Sequence, residues 1–318
     1  MKKFLLACSL LAMTGCTQPN TANMNEPVTL TIYTYDSLAA DYGLLPKITD
    51  QFEQANQLTL NIVSFPDTGA MINQLLAEQN NPQADVVVGI DHTDLARYPD
   101  LFSQPTAFDY GYVGFVYDTE SIQFTEPVSL ETLAEDPAYK DKIIIEQPGL
   151  SSPGTQLLLW GQTVFEDDAN EFWEALDKQV LTVAPDWNTA YYSMFLNGEA
   201  PIVLSYLTSP AYHIDQEGTY RYQAVPITDG YLKQTEYAAA ISDQPAVTTF
   251  LEYLMSEPVQ NQIATTQWMF PVSPTATVPA AYSEIITPNP EETLVPSNST
   301  IAAHYDSWLQ QWNGVFGQ

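Results

Sequence analysis

The feature that most constrains the fold is a regular alternation of strand-like and helix-like segments. Some stretches cluster β-branched and aromatic side chains, whereas others place apolar side chains at helical spacing. The predicted elements, in order, are a strand at 28–35, a helix at 45–55, a strand at 58–64, a helix at 68–79 and a strand at 85–90. This β-α-β-α-β order predicts an open α/β sheet.

The chain has 318 residues, which is more than one hydrophobic core usually holds, so we expect two lobes. Residues 108–118 form a long aromatic strand interrupted by Gly111 and Gly114, as expected where a chain crosses between lobes. A second α/β unit follows, with a strand at 143–146 and an apolar helix that opens at 151–154. We predict lobe 1 at 28–110 and about 233–280, lobe 2 at 111–232, and a C-terminal helical segment at 281–318 that packs on both.

The N-terminus has the features of an export signal. Two lysines precede an apolar run at 4–13, which is long enough for a signal peptide and too short to span a bilayer. The run ends in Met13-Thr14-Gly15-Cys16, which matches a lipoprotein processing site. We predict a signal peptide at 1–15, a lipid anchor on Cys16 and a flexible tether at 16–27, hence an exported protein of the cell envelope or periplasm. A simple secretory signal cut elsewhere is the alternative.

Charge and cysteine content exclude several classes of function. The chain has 39 acidic and 9 basic residues, and its formal net charge of -30 repels nucleic acid and anionic membrane surfaces. We attribute most of this charge to a solvated acidic coat suited to salty surroundings. The only cysteines, Cys8 and Cys16, lie in or directly after the signal peptide, so the folded body has no thiol for a disulfide or a nucleophile.

Polar side chains follow the predicted strands, at the edge where open α/β sheets bind ligands. Tyr35 and Asp36 end the first strand, and Asp67 follows the second. Either aspartate could equally be the N-cap of the next helix. The run Ser151-Ser152-Pro153-Gly154 opens a later helix, where it could hold a carboxylate or phosphate or could serve only as an ordinary cap.

Several aromatic side chains fall at strand ends or in turn-like contexts instead of on helical stripes. They are Trp187, Tyr206, Tyr212 and Trp268. Aromatic faces and a few carboxylates suit a flat aromatic cation, which needs stacking surfaces and a counter-charge. The three histidines, at 92, 213 and 304, show no metal-ligand spacing. The sequence therefore predicts a binding protein with no catalytic residue, metal or cofactor.

The chain also carries a series of motif blocks in a fixed order. They are Tyr33-Thr34-Tyr35-Asp36-Ser37, Ala39-Ala40-Asp41, Ala84-Asp85-Val86-Val87, Phe108-Asp109-Tyr110-Gly111-Tyr112, Leu157-Leu158-Leu159-Trp160, Leu204-Ser205-Tyr206, Thr208-Ser209-Pro210-Ala211-Tyr212-His213 and Trp268-Met269-Phe270-Pro271-Val272. Through these blocks the region from about 28 to 312 resembles the thiamine-binding proteins of bacterial thiamine ABC importers. Two features depart from that family: Tyr42 replaces a common Trp, and a lipid anchor replaces a plain secretory signal.

The resemblance implies a two-lobed, periplasmic-binding-protein-like α/β fold of type II, related to ferric-ion-binding proteins, with hinge strands between the lobes. It implies capture of thiamine, thiamine monophosphate or thiamine diphosphate between the lobes and delivery to an ABC permease and ATPase; we expect a monomer. The ligand contacts that it implies are Tyr35, Asp67, Ser151, Trp187, Tyr206, Tyr212 and Trp268, with Ser152 and Gly154 beside Ser151. The aromatics would sandwich the rings, Asp67 would supply a polar or anionic contact, and the serines would face the hydroxyethyl or phosphate end.

Three alternatives remain at this point. Ferric-ion binding could use Tyr206 and Tyr212 as hard oxygen ligands, although iron binders use adjacent tyrosines and these two are separated by five residues. A hydrolase could use His213 as a base for Ser205 or Ser209, although no hydrolase motif accompanies them. A surface lipoprotein with an interaction role alone would explain the anchor and the acidic coat but not the aromatics at strand ends.

Overall fold

The structure is a computed structural model that describes residues 28–317. The predicted signal peptide at 1–15, the anchor Cys16 and the tether at 16–27 lie outside the described residues. Within the described part, no helix combines the length and the apolar character that crossing a bilayer requires.

Eleven strands of the described residues form one sheet. Their bounds are β1 Val28–Tyr35, β2 Leu58–Phe65, β3 Val86–Asp91, β4 Ser103–Asp118, β5 Ile143–Glu146, β6 Val180–Ala184, β7 Ile202–Tyr206, β8 Tyr222–Ala224, β9 Tyr231–Ala240, β10 Phe270–Pro271 and β11 Thr293–Leu294. The main strand order is β2-β1-β3-β9-β4-β7-β5-β6, with β8 and β10 beside β4 and β11 beside β9. β1 is parallel to β2 and β3, and β5 is parallel to β6 and β7, as helical crossovers require.

Helices connect these strands. The α-helices are α1 Asp36–Ala39, α2 Leu44–Asn56, α3 Thr68–Ala77, α4 His92–Arg97, α5 Leu130–Glu135, α6 Ser152–Phe165, α7 Ala169–Leu176, α8 Ser209–Tyr212, α9 Pro245–Leu254, α10 Glu257–Thr266 and α11 Asn298–Phe316. The segments Thr189–Phe195 and His213–Glu217 are π-helical, and short 3-10 turns lie at Pro137–Tyr139, Glu166–Asp168 and Ala280–Ser283. The strands and helices predicted from periodicity are present and differ only at their ends, so the α/β fold class is confirmed.

The two longest strands, β4 and β9, link the two halves of the sheet. Between residues 103 and 112, β4 is antiparallel to β9, whose other neighbour in the main strand order is β3. Residues 113–118 of β4 pair instead with β7 and β8. A single strand therefore contributes to both halves, in the segment where the glycine-interrupted aromatic pattern predicts a crossing. The exact lobe boundaries given above stay a prediction.

Hydrophobic side chains fill both halves. The amphipathic helix α2 buries Leu44, Ile48 and Phe52 against the half that contains β1 to β3. In the other half, α6 is buried on all sides over residues 152–162, as expected for a central helix. Its Trp160 donates an indole hydrogen bond of 3.1 Å to the carbonyl oxygen of Gly230, so this large side chain is buried without an unsatisfied donor.

The C-terminal helix α11 packs across both halves. Its side chains Ile301, Tyr305 and Trp312 are buried in the same hydrophobic cluster as α6. Arg97, at the end of α4, places its guanidinium carbon 3.8 Å from the centre of the Tyr305 ring, which is a cation–π contact. Helix α11 therefore ties α4, which follows β3, to the helix at the centre of the other half.

The packing of α11 predicts unequal effects for its two nearby tryptophans. Trp312 is fully buried and its ring lies 4.5 Å from that of Phe316, so we expect Trp312→Ala to lower the free energy of unfolding by about 3–5 kcal/mol. Trp308 is only partly buried, and Trp308→Ala should therefore cost clearly less. Urea unfolding of the mature protein measures both. Equal losses in the two variants would contradict the described packing.

Candidate ligand-binding site

A cavity of about 590 Å³ lies between the two halves, where β1, β2 and β7 end. This volume is in the range of small-molecule sites. Its lining comes from both halves and consists of Tyr35, Ser37, Tyr42, Pro66, Asp67, Ser152, Pro153, Trp187, Asn188, Tyr191, Tyr192, Tyr206, Thr208, Ser209, Tyr212, Gln216, Glu236, Thr265, Thr266, Gln267, Trp268 and Met269.

All but one of the ligand contacts predicted from the sequence lie together in this lining. They are Tyr35, Asp67, Ser152, Trp187, Tyr206, Tyr212 and Trp268. Ser151 is the exception: it is buried at the N-cap position of α6, outside the lining. Gly154 lies within α6, where a Cβ atom would come within 2.4 Å of the Glu146 carbonyl oxygen, so its glycine permits close packing of helix on strand. The individual ligand roles stay predictions.

Asp67 joins the two halves at one wall of the cavity. Its Oδ1 accepts a hydrogen bond of 2.7 Å from the Thr68 N–H, which caps α3, and one of 3.3 Å from the Ser152 N–H at the start of α6. Burial raises the pKa of Asp67 to about 6, although these hydrogen bonds favour its charged form. Asp67 is therefore an N-cap and a cavity residue at once.

The loops that precede α3 and α6 approach each other closely. The Gly69 N–H donates a hydrogen bond of 3.1 Å to the Leu150 carbonyl, and the Ser152 hydroxyl donates one of 3.1 Å to the Thr68 hydroxyl. A Cβ atom on Gly69 would lie 2.3 Å from the carbonyl oxygen of Gly149, so a larger residue would push the loops apart. The two halves thus meet directly beside the cavity.

Hydrogen bonds and stacking hold one aromatic wall in place. Trp187 stacks on Tyr191, with ring centroids 5.1 Å apart and an interplanar angle of 16°. The Trp187 indole donates a hydrogen bond of 2.8 Å to the Ser205 hydroxyl. The Tyr191 hydroxyl lies 3.0 Å from Nε2 of the buried His213, whose Nδ1 lies 2.8 Å from a carboxylate oxygen of Glu217. A chain of contacts therefore runs from the cavity to the surface.

These contacts disfavour the hydrolase alternative. Both ring nitrogens of His213 are engaged by Tyr191 and Glu217. The Ser205 hydroxyl instead lies 2.8 Å from the Ser209 hydroxyl and accepts the Trp187 indole hydrogen bond. Nucleophilic catalysis requires the base within hydrogen-bond reach of the nucleophile, and His213 occupies a structural position instead.

A second group of aromatic side chains in the lining contains a strained backbone. Tyr212 and Trp268 meet edge to face, with centroids 5.5 Å apart, and Trp268 is nearly parallel to Tyr282 at 6.5 Å. Trp268 has a φ of 53°, in the left-handed region that costs a residue with a Cβ atom about 1–2 kcal/mol. Such strain persists only where surrounding contacts impose it, and it is common at ligand clamps.

The floor of the cavity is a buried polar network. The Tyr35 hydroxyl donates a hydrogen bond of 2.8 Å to Glu236 Oε2, and the Tyr206 hydroxyl donates one of 2.9 Å to Gln234 Oε1. The Gln234 amide in turn lies 3.4 Å from a carboxylate oxygen of Asp91. Tyrosine hydroxyls at the cavity are therefore donors to fixed acceptors beneath it.

The same network disfavours the iron alternative. Burial, followed by the charge of Glu236, raises the pKa of Tyr206 well above its ordinary value, whereas ferric iron requires a tyrosinate. The Tyr206 hydroxyl is already engaged by Gln234, and the Tyr212 ring packs edge to face against Trp268. Within residues 28–317, no group of three or more His, Cys, Asp or Glu side chains could hold a metal ion.

Sequence reasoning missed several lining residues, of which Glu236 is the clearest. In β9 the buried positions alternate through Leu232, Gln234, Glu236 and Ala238, so two polar side chains stand where core residues are expected. A polar residue on the buried face of a strand was the available signal. The sequence analysis also missed Tyr191, Tyr192 and Asn188. They lie on a π-helical segment or at its start, where side chains follow no regular hydrophobic pattern.

The charged side chains of the lining are acidic only. Asp67 and Glu236 are the ionisable carboxyl groups, and the described lining contains no Lys, Arg or His. Aromatic faces from both halves surround them. This combination suits a flat ligand that carries positive charge or hydrogen-bond donors, because cations are attracted to aromatic faces and to carboxylates.

Comparison with known proteins agrees with this geometry. A family model described as "Bacterial extracellular solute-binding protein" matches residues 30–266. The thiamine-binding periplasmic protein of Escherichia coli K12 is 38% identical, over 93% of this chain and 95% of that protein. A solved periplasmic thiamin-binding protein is 35% identical, with a TM-score of 0.86 over 94% of this chain and 99% of its own.

A more distant structure bears on the fold alone. The apo ferric-ion-binding protein A of Pasteurella haemolytica is 15% identical and superposes with a TM-score of 0.69, over 90% of this chain and 97% of its own. The predicted two-lobed type II fold and the resemblance to thiamine-binding proteins are confirmed by these matches. The expectation of binding instead of catalysis is confirmed as well, since the matched proteins are binding proteins.

Replacing Asp67 with asparagine should separate its capping role from its charge. Asn is as good an N-cap as Asp, so α3 keeps its cap. In the parent, folding raises the Asp67 pKa from 3.8 to about 6. Between these two pH values the folded state still holds a proton that the unfolded chain has released. The stability of the parent therefore falls as pH rises from about 4 to about 6. Urea unfolding should show that the stability of Asp67→Asn, measured relative to the parent, rises by up to about 3 kcal/mol between about pH 4 and pH 6. A difference that does not change with pH would contradict the burial of this carboxylate.

Proposed function

The chain belongs to the family of bacterial extracellular solute-binding proteins, and we propose that its cavity captures thiamine, thiamine monophosphate or thiamine diphosphate for an ABC importer. One observation carries this proposal: a cavity of about 590 Å³ has aromatic faces from both halves and acidic groups as its charged lining. Relatives named as thiamine-binding proteins support the choice of ligand.

The chemistry of thiamine matches this lining part by part. Its thiazolium ring is a flat cation, for which Trp187 and Trp268 of the lining offer stacking faces. Its aminopyrimidine ring carries hydrogen-bond donors and acceptors, which the polar floor beneath Tyr35 and Tyr206 can meet. Its hydroxyethyl or phosphate end would face Ser152, where the loops of the two halves meet. Closure of the halves then completes the stacking.

The proposal includes delivery and location. We propose that the protein is exported, held at a membrane through a lipid on Cys16, and acts as a monomer that hands its ligand to an ABC permease and ATPase. The segment at 16–27 would give the folded body reach from the membrane surface.

Calorimetry with the mature protein tests the ligand directly. Thiamine and its two phosphate esters should each be titrated, with ferric citrate as the control for the iron alternative. A ligand at a hundred times its dissociation constant should stabilise the protein by about 2.7 kcal/mol, which a thermal melt detects. Absence of heat and of any melting shift with all three thiamine compounds would refute the proposal.

Trp268 should matter for affinity more than for folding. A stacking face over a cation contributes roughly 0.5–2 kcal/mol, so Trp268→Ala should weaken thiamine binding by about ten-fold, and Trp268→Phe by less. Because the backbone at 268 is left-handed, Trp268→Gly should be more stable than Trp268→Ala by about 1 kcal/mol while binding no better. Calorimetry and urea unfolding measure the two effects. Parent-like affinity in all three variants would exclude Trp268 from the site.

Replacing the proposed anchor should change location alone. Cys16→Ser should move the protein from the membrane fraction to the soluble fraction, because one missing lipid removes the attachment. Thiamine affinity should stay at the parent value, since the tether at 16–27 separates Cys16 from the folded body. Fractionation and immunoblotting measure the first effect. A variant that remains in the membrane fraction would disprove the anchor.

A further inference from the structure

Two carboxyl groups lie in contact at the floor of the cavity. Asp109 of β4 and Glu236 of β9 are cross-strand partners. Asp109 is 0% exposed and Glu236 is 3% exposed, and side chains that stand directly opposite each other in an antiparallel pair are adjacent. Among the described residues, neither carboxylate oxygen of Asp109 has a hydrogen-bond partner. Two carboxylates in such contact cannot both be ionised, so a proton stays between them.

Within residues 28–317, the titratable groups that interact with this pair carry no positive charge. They are Tyr35 of β1, Asp67 before α3, Asp91 of β3, Tyr206 of β7 and Tyr282 of the 3-10 turn. Burial and the carboxylates of Asp91 and Asp67 raise the pKa of Glu236, and burial together with the charge of Glu236 raises that of Asp109. Buried carboxyl groups that border a cavity and have raised pKa values are candidates for a functional role.

Of the two carboxyl groups in the lining, Glu236 is the one with acceptor capacity to spare. Asp67 already accepts backbone hydrogen bonds from both halves, at 2.7 and 3.3 Å. Glu236 accepts one close hydrogen bond, from the Tyr35 hydroxyl at 2.8 Å, and a long contact of 3.5 Å from the Gln234 amide. Its side chain also borders the cavity.

We propose that Glu236, paired with Asp109, recognises the nitrogen end of the ligand, where an amine or a ring cation lies, and that ligand capture releases the proton that the pair shares. This inference rests on the proposed function, because it assigns a residue to the recognition of thiamine. The ligand N–H or positive charge takes the place of the proton at Glu236, and the proton passes to the solvent buffer. The Tyr35 hydroxyl holds the carboxylate in position.

The proposal fixes the direction of the pH effect. At low pH the pair is protonated and a ligand must displace the proton, so affinity should rise as pH increases through the range in which the pair titrates. Asp109→Asn removes one carboxyl group of the pair and leaves an amide that can donate to Glu236, so the site holds less proton before the ligand arrives. That variant should retain most of the affinity and release fewer protons per thiamine than the parent, whereas burial and the charges of Asp91 and Asp67 still raise the pKa of Glu236.

Titration calorimetry with thiamine tests this, at pH 7 in two buffers of different ionisation enthalpy. The parent should release up to one proton per thiamine bound. Glu236→Gln should release none and bind about ten- to a hundred-fold more weakly, because it loses a charged hydrogen-bond acceptor. Glu291→Gln, which removes an exposed charge outside the cavity, is the matched control and should behave as the parent. Ligand-free urea unfolding shows that each variant is folded.

The possible results separate the two hypotheses. A parent that does not bind thiamine refutes the proposed function, and the inference with it. A parent that binds, together with a Glu236→Gln variant within two-fold of its affinity and with equal proton release, overturns the inference alone. Should Glu236→Gln fail to fold, Asp109→Asn decides: proton release equal to that of the parent would overturn the proposal.

Discussion

The antiparallel pairing of β4 with β9 is the interaction on which the binding site depends. Its register sets Asp109 opposite Glu236, and β4 then continues beyond Tyr112 to pair with β7, which ends at Tyr206. Since side chains alternate along a strand, a slip of one residue would turn Glu236 away from the cavity. The ladder that joins the two halves therefore also places the polar floor between them.

Much of the site is costly for the free protein. Asp109, Glu146 and Glu236 are buried and Asp67 is partly buried, and removal from solvent raises the pKa of each. Each must hold a proton or bear a desolvated charge, and the left-handed backbone of Trp268 adds strain. The extensive apolar cores around α2 and α6 offset these costs. Burial of their apolar side chains stabilises the folded protein and does not depend on any contact with the ligand. Different parts of the molecule thus provide the stability of the fold and the binding of the ligand.

Local sequence patterns were sufficient to predict the main helices and strands and seven of the residues that line the cavity. The strand at 28–35 and the helix at 45–55 follow from periodicity, and aromatics at strand ends such as Tyr206 follow from the chemistry of open sheets. The role of Glu236 could not be predicted in this way, because it depends on Asp109. Asp109 lies more than a hundred residues earlier in the chain, and the register of β4 and β9 places it opposite Glu236. The double role of Asp67 likewise requires the Ser152 N–H of the other half. Periodicity describes one segment at a time and contains no information on such pairs.

The aromatic walls are fixed before a ligand arrives, and this determines how the site can discriminate. Trp187 is held by Ser205, Tyr206 by Gln234 and Tyr35 by Glu236, all through hydrogen bonds of 2.8–2.9 Å. Side chains that are already ordered lose little conformational entropy on binding, so more of the contact energy appears as affinity. Aromatic side chains that are held in one orientation also favour rings of matching thickness and orientation. Selectivity for a flat heterocycle therefore comes from the hydrogen bonds behind the aromatic rings as much as from the rings themselves.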